Sequence, residues 1–286
     1  MTHLLEVQGL TKSFARQRRS GPSAPPAIAD VSFTLERGET LALVGESGAG
    51  KSTTGRLILR LIEPDSGLVL LDGEDVREIE RREGRRWRRR AQMIFQDPYS
   101  SFDPRITIGE SIGEPLLIHG QANKAARRER AGELLQRVGM GSHFLDRFPR
   151  ELSGGQLQRA AVARALTTGP DLIVCDEPVA ALDVSIRAQV LNLLKDVQEE
   201  FGLAYLFITH DLSLVEVVAD RVAVMRNGAI VETGETGPLY RSPQHPYTAE
   251  LLSAIPTLPA ATSAEMLVLD PPGAAVEIDG GRRSAE

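Results

Sequence analysis

Cysteine is almost missing from this chain: there is one, Cys175, in 286 residues. No internal disulfide can form, so a secreted scaffold held by crosslinks is excluded, and the expected compartment is the cytosol. Cys175 lies inside an apolar run, which predicts a small core residue. A surplus of positive charge is missing too. The formal net charge is −6, so no global basic field draws the chain to nucleic acid. No apolar run approaches the roughly 20 residues needed to cross a bilayer. The opening residues, MTHLLEVQGL, lack the basic-then-apolar layout of a signal peptide. Against these absences stand 42% hydrophobic and 25% charged residues, enough apolar material for one large domain or two small ones.

The most informative stretch is GESGAGKS at residues 45–52. Gly45, Gly50, Lys51 and Ser52 fit G-x-x-x-x-G-K-[ST] at every fixed position. Such a loop, here Gly45, Glu46, Ser47, Gly48, Ala49, Gly50, Lys51, Ser52 and Thr53, turns backbone N–H groups inward around an anion. Lys51 can reach the outer phosphates of a nucleotide, and the Ser52 hydroxyl can ligate Mg²⁺. The context agrees: residues 40–44 form a short apolar run, read as a buried strand. Residues 53–60 read as a helix whose positive end points at the same phosphates.

Strand signals recur at residues 4–10, 28–35, 68–71, 92–95, 172–175, 204–209 and 222–225, with a hairpin through Asn227-Gly228 to residues 229–232. Residues 16–27 carry no period and read as a loop, and residues 74–90 read as mostly helical. Between residues 106 and 166 strand signals vanish and apolar residues recur at helical spacing, as at Ala131, Leu134, Leu135 and Val138. Residues 185–201 are helical. Strands alternating with helices predict a mostly parallel sheet covered on both faces. Beyond Pro256 the chain is rich in Pro, Gly and Ala and reads as a loosely ordered tail.

Two further elements carry chemistry. Asp176-Glu177 follows the apolar run 172–175, where an acid at the end of a buried strand can hold Mg²⁺ and its neighbour can orient an attacking water. Ser153, Gly154, Gly155 and Gln156 open a helix whose N–H groups and hydroxyl form a second anion-binding end. A plain helix cap explains the serine but leaves the Gly-Gly-Gln unexplained.

With the stretch LSGGQ at residues 152–156, the chain resembles the nucleotide-binding subunit of an ABC transporter over roughly residues 4–256. The resemblance implies an α/β fold: a P-loop NTPase (RecA-like) core with a mostly parallel sheet, an N-terminal antiparallel β subdomain and an inserted α-helical signature subdomain at about residues 97–166. Residues 257–286 would be a flexible tail. It implies ATP and Mg²⁺ as ligands, with Ser52, Gln96 and Asp176 at the metal and Glu177, His210 and Gln96 at the reaction. Gln96 matches the Q-loop glutamine, and Ala181-Leu182-Asp183 the D-loop, where Asp183 would meet nucleotide across a dimer. His210 lies 33 residues (210 − 177) beyond Glu177 and matches the switch histidine that contacts the γ-phosphate. Phe14 falls where the family stacks an aromatic on adenine. Ala180 departs from the pattern, which has Ser there.

GETLALVGESGAGKST, MIFQDPYSSFDPR, DEPVAALDVSIRAQVLNLL, YLFITHDLSLVE and HPYTAELLSAIP are similar to the ATPases of oligopeptide and dipeptide importers, a subfamily that includes nickel and glutathione importers. Many members carry a cysteine-rich segment beyond that point; nothing after Cys175 is cysteine here, so no such iron–sulfur cluster can form. The resemblance implies a head-to-tail dimer with itself or a paralogue, a separate membrane permease, an extracytoplasmic solute-binding protein acting indirectly, and a place on the cytoplasmic face of the membrane. Lys51 and Ser153 are 102 positions apart (153 − 51) without sustained heptads, unlike the coiled-coil ABC ATPases of DNA repair. Seven arginines between Arg81 and Arg90 are expected to form a charge-laced solvated helix, not a nucleic-acid surface.

Overall fold

The computed structural model describes residues 3–14 and 26–254, save the side chains of residues 85 and 86. The expected loop at residues 16–27 falls outside these bounds except for its last two residues, and the expected tail at residues 257–286 falls outside them entirely.

Four strands, β1 (Leu5–Lys12), β2 (Ile28–Leu35), β4 (Ser66–Leu71) and β5 (Glu74–Asp75), form an antiparallel sheet in the order β2-β1-β4-β5. Leu5 and Val7 alternate inward; then Gly9, at φ +57, shifts the register and Leu10 turns inward instead. An extra residue in the left-handed region is what a bulge needs. Alternation alone ends this strand at Leu10; pairing across the bulge carries it to Lys12.

The second sheet has the order β10-β9-β3-β8-β7-β6. Its strands are β3 (Thr40–Val44), β6 (Ala91–Ile94), β7 (Leu172–Asp176), β8 (Ala204–Thr209), β9 (Arg221–Arg226) and β10 (Ala229–Glu235). All pair in parallel except β9 with β10. Every residue of β3, β7 and β8 is buried, as continuous apolar runs require when both faces are covered. The β9–β10 turn is Asn227-Gly228, at φ +49 and +84, the two left-handed residues of a tight hairpin.

Helix α1 (Lys51–Ile58) packs on one face of this second sheet, through Leu41, Leu43, Val174 and Ile208, in a core shared with the antiparallel sheet. The other face meets α6 (Gly154–Leu166) and α7 (Val184–Phe201) through Ile173, Cys175, Tyr205 and Phe207. Nearer β9, the same face meets α8 (Leu212–Val218), α9 (Thr236–Arg241) and α10 (Pro246–Ser253) through Val44, Val222 and Val224. Helices α4 (Ile108–Ile118), α5 (Lys124–Arg137) and α6 fill the region where strand signals vanish, and Ala131, Leu134, Leu135 and Val138 are fully buried. The expected fold class is borne out: a mostly parallel α/β core, an N-terminal antiparallel sheet and an inserted helical segment.

Residues 74–90 depart from the reading as mostly helical. After β5, α2 (Val76–Glu83) ends at Gly84, φ +60, and a 3₁₀ turn covers Gly84–Arg89. The turn places Trp87 in the core at 1% exposure, which a continued helix facing solvent would not do. Of the basic run, Arg81 pairs with Glu78, Arg82 with Glu74 and Glu83, Arg88 with Glu80, and Arg90 with Asp72 and Asp171. Paired this way, these arginines are laced with carboxylates as expected, but on a helix end and a 3₁₀ turn instead of one solvated helix. Among the described residues, no helix is long and apolar enough to cross a membrane.

Candidate active site

The parallel strands β3, β6, β7 and β8 all run toward one edge of the sheet, and the functional segments follow their carboxyl ends. This is where open α/β sheets place ligands. After β3, Gly45, Gly48 and Gly50 take φ of +146, +84 and +104, so the loop winds with its amides inward. A Cβ on Gly45 would collide with the Met225 carbonyl oxygen, so no other residue fits there. Helix α1 then begins at Lys51 without a side-chain cap. Of the other helices named, only α9 also lacks one; α2, α4, α5, α6, α7, α8 and α10 take theirs from Asp75, Thr107, Asn123, Ser153, Asp183, Asp211 and His245. The first N–H groups of α1 are left for a ligand, and the helix dipole makes an anion the favoured one.

Lys51 is 5% exposed, and its ammonium donates to the Gly45 and Glu46 carbonyl oxygens at 2.7 and 2.9 Å. Burial pushes its pKa down, and the Glu177 and Asp176 carboxylates pull it back. Ser52 Oγ donates to Asp176 Oδ1 at 2.6 Å, and Arg56 Nη2 lies 3.9 Å from the other oxygen. Asp176 is 1% exposed. Burial raises its pKa against the hydrogen bond from Ser52 and the charge of Arg56, so a cation beside it would relieve an unfavourable buried charge.

Glu177 stands at φ +47, its N–H bonded to the Ile208 carbonyl of the neighbouring strand at 2.9 Å. The strained backbone turns its carboxylate into the cleft. There Oε2 accepts from Gln96 Nε2 at 2.9 Å and Oε1 lies 2.9 Å from His210 Nδ1. Three strand ends therefore converge on one carboxylate. The cleft measures 690 Å³ and is lined by the loop residues except Ala49, with Gln96, Glu177 and His210.

Ala49 turns away and packs in the core at 5% exposure. Phe14 does not line the cleft: it is 58% exposed, with the Lys12 ammonium 5.9 Å from its ring centroid. Ser153, Gly154, Gly155, Gln156 and Asp183 also lie outside it. Ser153 caps α6 by accepting the Gln156 N–H at 3.3 Å, while Gln156 Oε1 accepts the Ser153 N–H at 3.0 Å. That reciprocal capping box accounts for the glutamine as well as the serine. Asp183 caps α7 through the Ile186 N–H at 3.0 Å. Ala180, in the serine position of the D-loop, is exposed.

The second glycine of the pair has a packing reason. A Cβ on Gly155 would overlap Ile186 Cγ2, whereas one on Gly154 would meet Leu182 Cδ2 at an ordinary 3.6 Å. Gly155→Ala is expected to cost about 1–3 kcal/mol by overpacking, lowering the melting temperature by several degrees. Gly154→Ala should melt within a degree or two of the parent. Equal melting of the two variants would show that the α6–α7 contact is loose.

Three further lining residues, Ala27, Leu212 and Leu251, belong to no motif. Nor does Arg187, which donates to Asp211 Oδ2 at 3.1 Å and to the Leu182 carbonyl at 3.4 Å. This ties the segment after Glu177 to the one after His210.

Comparison with known proteins agrees with the geometry. The ABC transporter family model matches residues 28–180. Oligopeptide transport ATP-binding protein OppF of Bacillus subtilis is 50% identical over 255 residues, 88% of this chain and 82% of that protein. Dipeptide transport ATP-binding protein DppF of Haemophilus influenzae is 48% identical over 259 residues, 90% of this chain and 79% of that one. Among solved structures, cbiO1 of Clostridium perfringens, part of the ABC transporter complex cbiONQ, superposes with a TM-score of 0.73 at 26% identity, covering 85% of this chain and 92% of that chain. The ATP-binding cassette MJ0796, in a dimeric post-hydrolysis state with ADP and Pi, gives 0.71 at 29% identity, over 81% and 98%. With its phosphate loop, buried acid and histidine–glutamate pair assembled at one sheet edge, the chain belongs to the ABC transporter family and carries that family's ATPase cassette.

Proposed function

We propose that this chain is the motor subunit of an importer for peptides or similar small solutes, and that two such subunits close head to tail around two ATP molecules. The observation that carries the reading is Glu177, held between Gln96 and His210 at 2.9 Å each, above a helix end that lacks a side-chain cap. ATP places its phosphates on the loop amides, and Lys51 exchanges the Gly45 and Glu46 carbonyl oxygens for the outer phosphates. The donors nearest the phosphates are oxygens: the Ser52 hydroxyl, the Asp176 carboxylate and the Gln96 amide. Hard oxygen donors fit Mg²⁺, which keeps phosphate oxygens and waters in its own shell. When bound, that ion would neutralise charge on the phosphate oxygens.

Glu177 orients the attacking water and accepts its proton as the new P–O bond forms and the bond to ADP breaks. His210 holds the γ-phosphate side of the chamber. Ser153 and the N–H groups of Gly154 and Gly155, which do not line their own cleft, serve the partner's γ-phosphate, with Asp183 at the same interface. Phe14, exposed just beyond β1, supplies the adenine stack once nucleotide is bound.

The transport ATP-binding names of OppF and DppF support a separate polypeptide as the permease, with this subunit on the cytoplasmic face of the membrane. A 310 Å³ groove beside Gln96, lined by Leu59, Leu61, Met93, Phe95, Glu114 and Pro115, is where the permease docks and receives the motion. A solute-binding protein delivers cargo on the far side. The oligopeptide and dipeptide transport names of OppF and DppF support peptides as the cargo class.

The two-subunit chamber is tested by dilution. ATPase activity per mole of chain should fall as the protein is diluted across roughly a 100-fold range, by mass action on the dimer. Activity per mole that stays flat down to the monomeric range would remove the shared chamber.

A further inference from the structure

Helix α10 lies outside the residues matched by the family model, yet it reaches the phosphate loop. The Tyr247 hydroxyl accepts the backbone N–H of Glu46 at 3.3 Å. The Tyr247 ring is 2% exposed and lies under the Arg226 guanidinium, 4.5 Å from its centroid. One turn on, Leu251 lines the cleft. Lys51 Nζ holds the other end of that same peptide unit, donating to the Gly45 carbonyl oxygen at 2.7 Å, and it also donates to the Glu46 carbonyl oxygen at 2.9 Å.

From this arrangement we infer that α10 is part of the nucleotide site, and that Tyr247 is a positioning residue which keeps the phosphate loop wound in its binding shape. The inference rests on the proposed ATP reading. When Lys51 leaves the Gly45 and Glu46 oxygens for phosphate, the loop loses two hydrogen bonds that shape it. The Tyr247 bond uses the Glu46 N–H and none of the Lys51 contacts, so the exchange leaves it in place. A loop that stays wound needs no reordering on binding, and preorganisation of this kind appears as affinity.

The position of α10 is itself fixed at a distance. Glu232, on β10, accepts the Gln244 N–H at 2.8 Å and the His245 N–H at 3.0 Å through its two oxygens. This carboxylate clasps the turn just before α10. Between residues 46 and 247 lies most of the described chain, so the contact exists only because the β9–β10 hairpin and its clasp bring the C-terminal helix back across the sheet edge. The segment that distinguishes the importer-like chains thus bears on the one loop that all phosphate-binding cassettes share.

The test is ATP binding to the full chain, with steady-state kinetics and melting measured in parallel. Tyr247→Phe keeps the ring, its burial and its stacking under Arg226 but removes the hydrogen bond. A neutral hydrogen bond contributes about 0.5–1.5 kcal/mol, so the Kd for ATP should rise about two- to tenfold. The kcat at saturating ATP should stay within about twofold of the parent and the melting temperature should hold, a split that a merely structural tyrosine would not give. Glu232→Ala, remote from the nucleotide, should raise the Kd in the same direction. The double variant should be no worse than the weaker-binding single variant, because both act through one contact. A Tyr247→Phe chain that binds ATP as the parent does, or losses that simply add, would overturn the inference and leave the ATPase reading intact. A parent chain that binds no ATP would overturn the ATPase reading and this inference with it.

Discussion

Glu177→Gln is expected to bind ATP with near-parental affinity and to turn it over at least about 100-fold more slowly, a typical loss for a positioned acid–base group. The substitution is sterically quiet. Glutamine has the same length and branching, so it tolerates the φ of +47 no worse than glutamate. Its amide oxygen can still accept from Gln96, and the backbone bond to Ile208 is unaffected. What is lost is the negative charge and, with it, the ability to take a proton from water. Affinity should hold because the groups that grip phosphate, Lys51 and the amides of the loop, do not touch Glu177 directly. Nucleotide binding and single-turnover hydrolysis, measured on the same preparation, separate the two effects. Turnover within a few-fold of the parent would transfer the water-orienting role to another group. A parallel loss of affinity would mean that Glu177 shapes the loop instead.

The parts of this site that were legible in the sequence are the local ones. The phosphate loop, the acid pair after β7 and the histidine after β8 each sit within a few residues of a strand whose apolar run announces it. Glycines at fixed spacing reveal the left-handed turns that the backbone takes at Gly45, Gly48 and Gly50. Illegible were contacts made by groups far apart along the chain. Tyr247 and Glu46 are 201 residues apart, and Arg187 and Asp211 are joined only by the way α7 returns over the sheet. Glycine at 155 is explained by Ile186, thirty-one residues later (186 − 155) and on another helix. Local pattern also misled in small ways. The β1 alternation broke at Gly9 because a bulge slips the phase, and the polar run after Asp75 looked like one helix because its few large apolar residues, Val76, Ile79 and Trp87, do not mark where the helix ends. Ala49 belongs to the loop by sequence but to the core by packing, since the winding that aims amides inward aims its methyl group outward.

Ser153→Arg is expected to leave ATP binding by the isolated chain unchanged and to lower hydrolysis by roughly 100-fold. Ser153 lies outside its own cleft, and its hydroxyl is occupied by the N–H of Gln156; nothing it touches contacts nucleotide in the same chain. An arginine there adds bulk and an unmatched charge to the surface that would close on the partner's ATP. Burying an unpaired charge at an interface costs about 2–5 kcal/mol, and about 3 kcal/mol corresponds to roughly 100-fold. Loss of the helix cap must be separated from obstruction. Ser153→Ala removes the cap alone, at about 1 kcal/mol of stability, and should keep most of the activity. Sedimentation in ATP on a Glu177→Gln background, which cannot consume the nucleotide, gives the direct readout: a dimer for the parent and a monomer for the arginine variant. Dimers of both would place the serine away from the interface. An arginine variant whose solitary chain no longer held ATP would mean that the diglycine helix acts on its own cleft, and each chain would then hold a complete hydrolytic chamber.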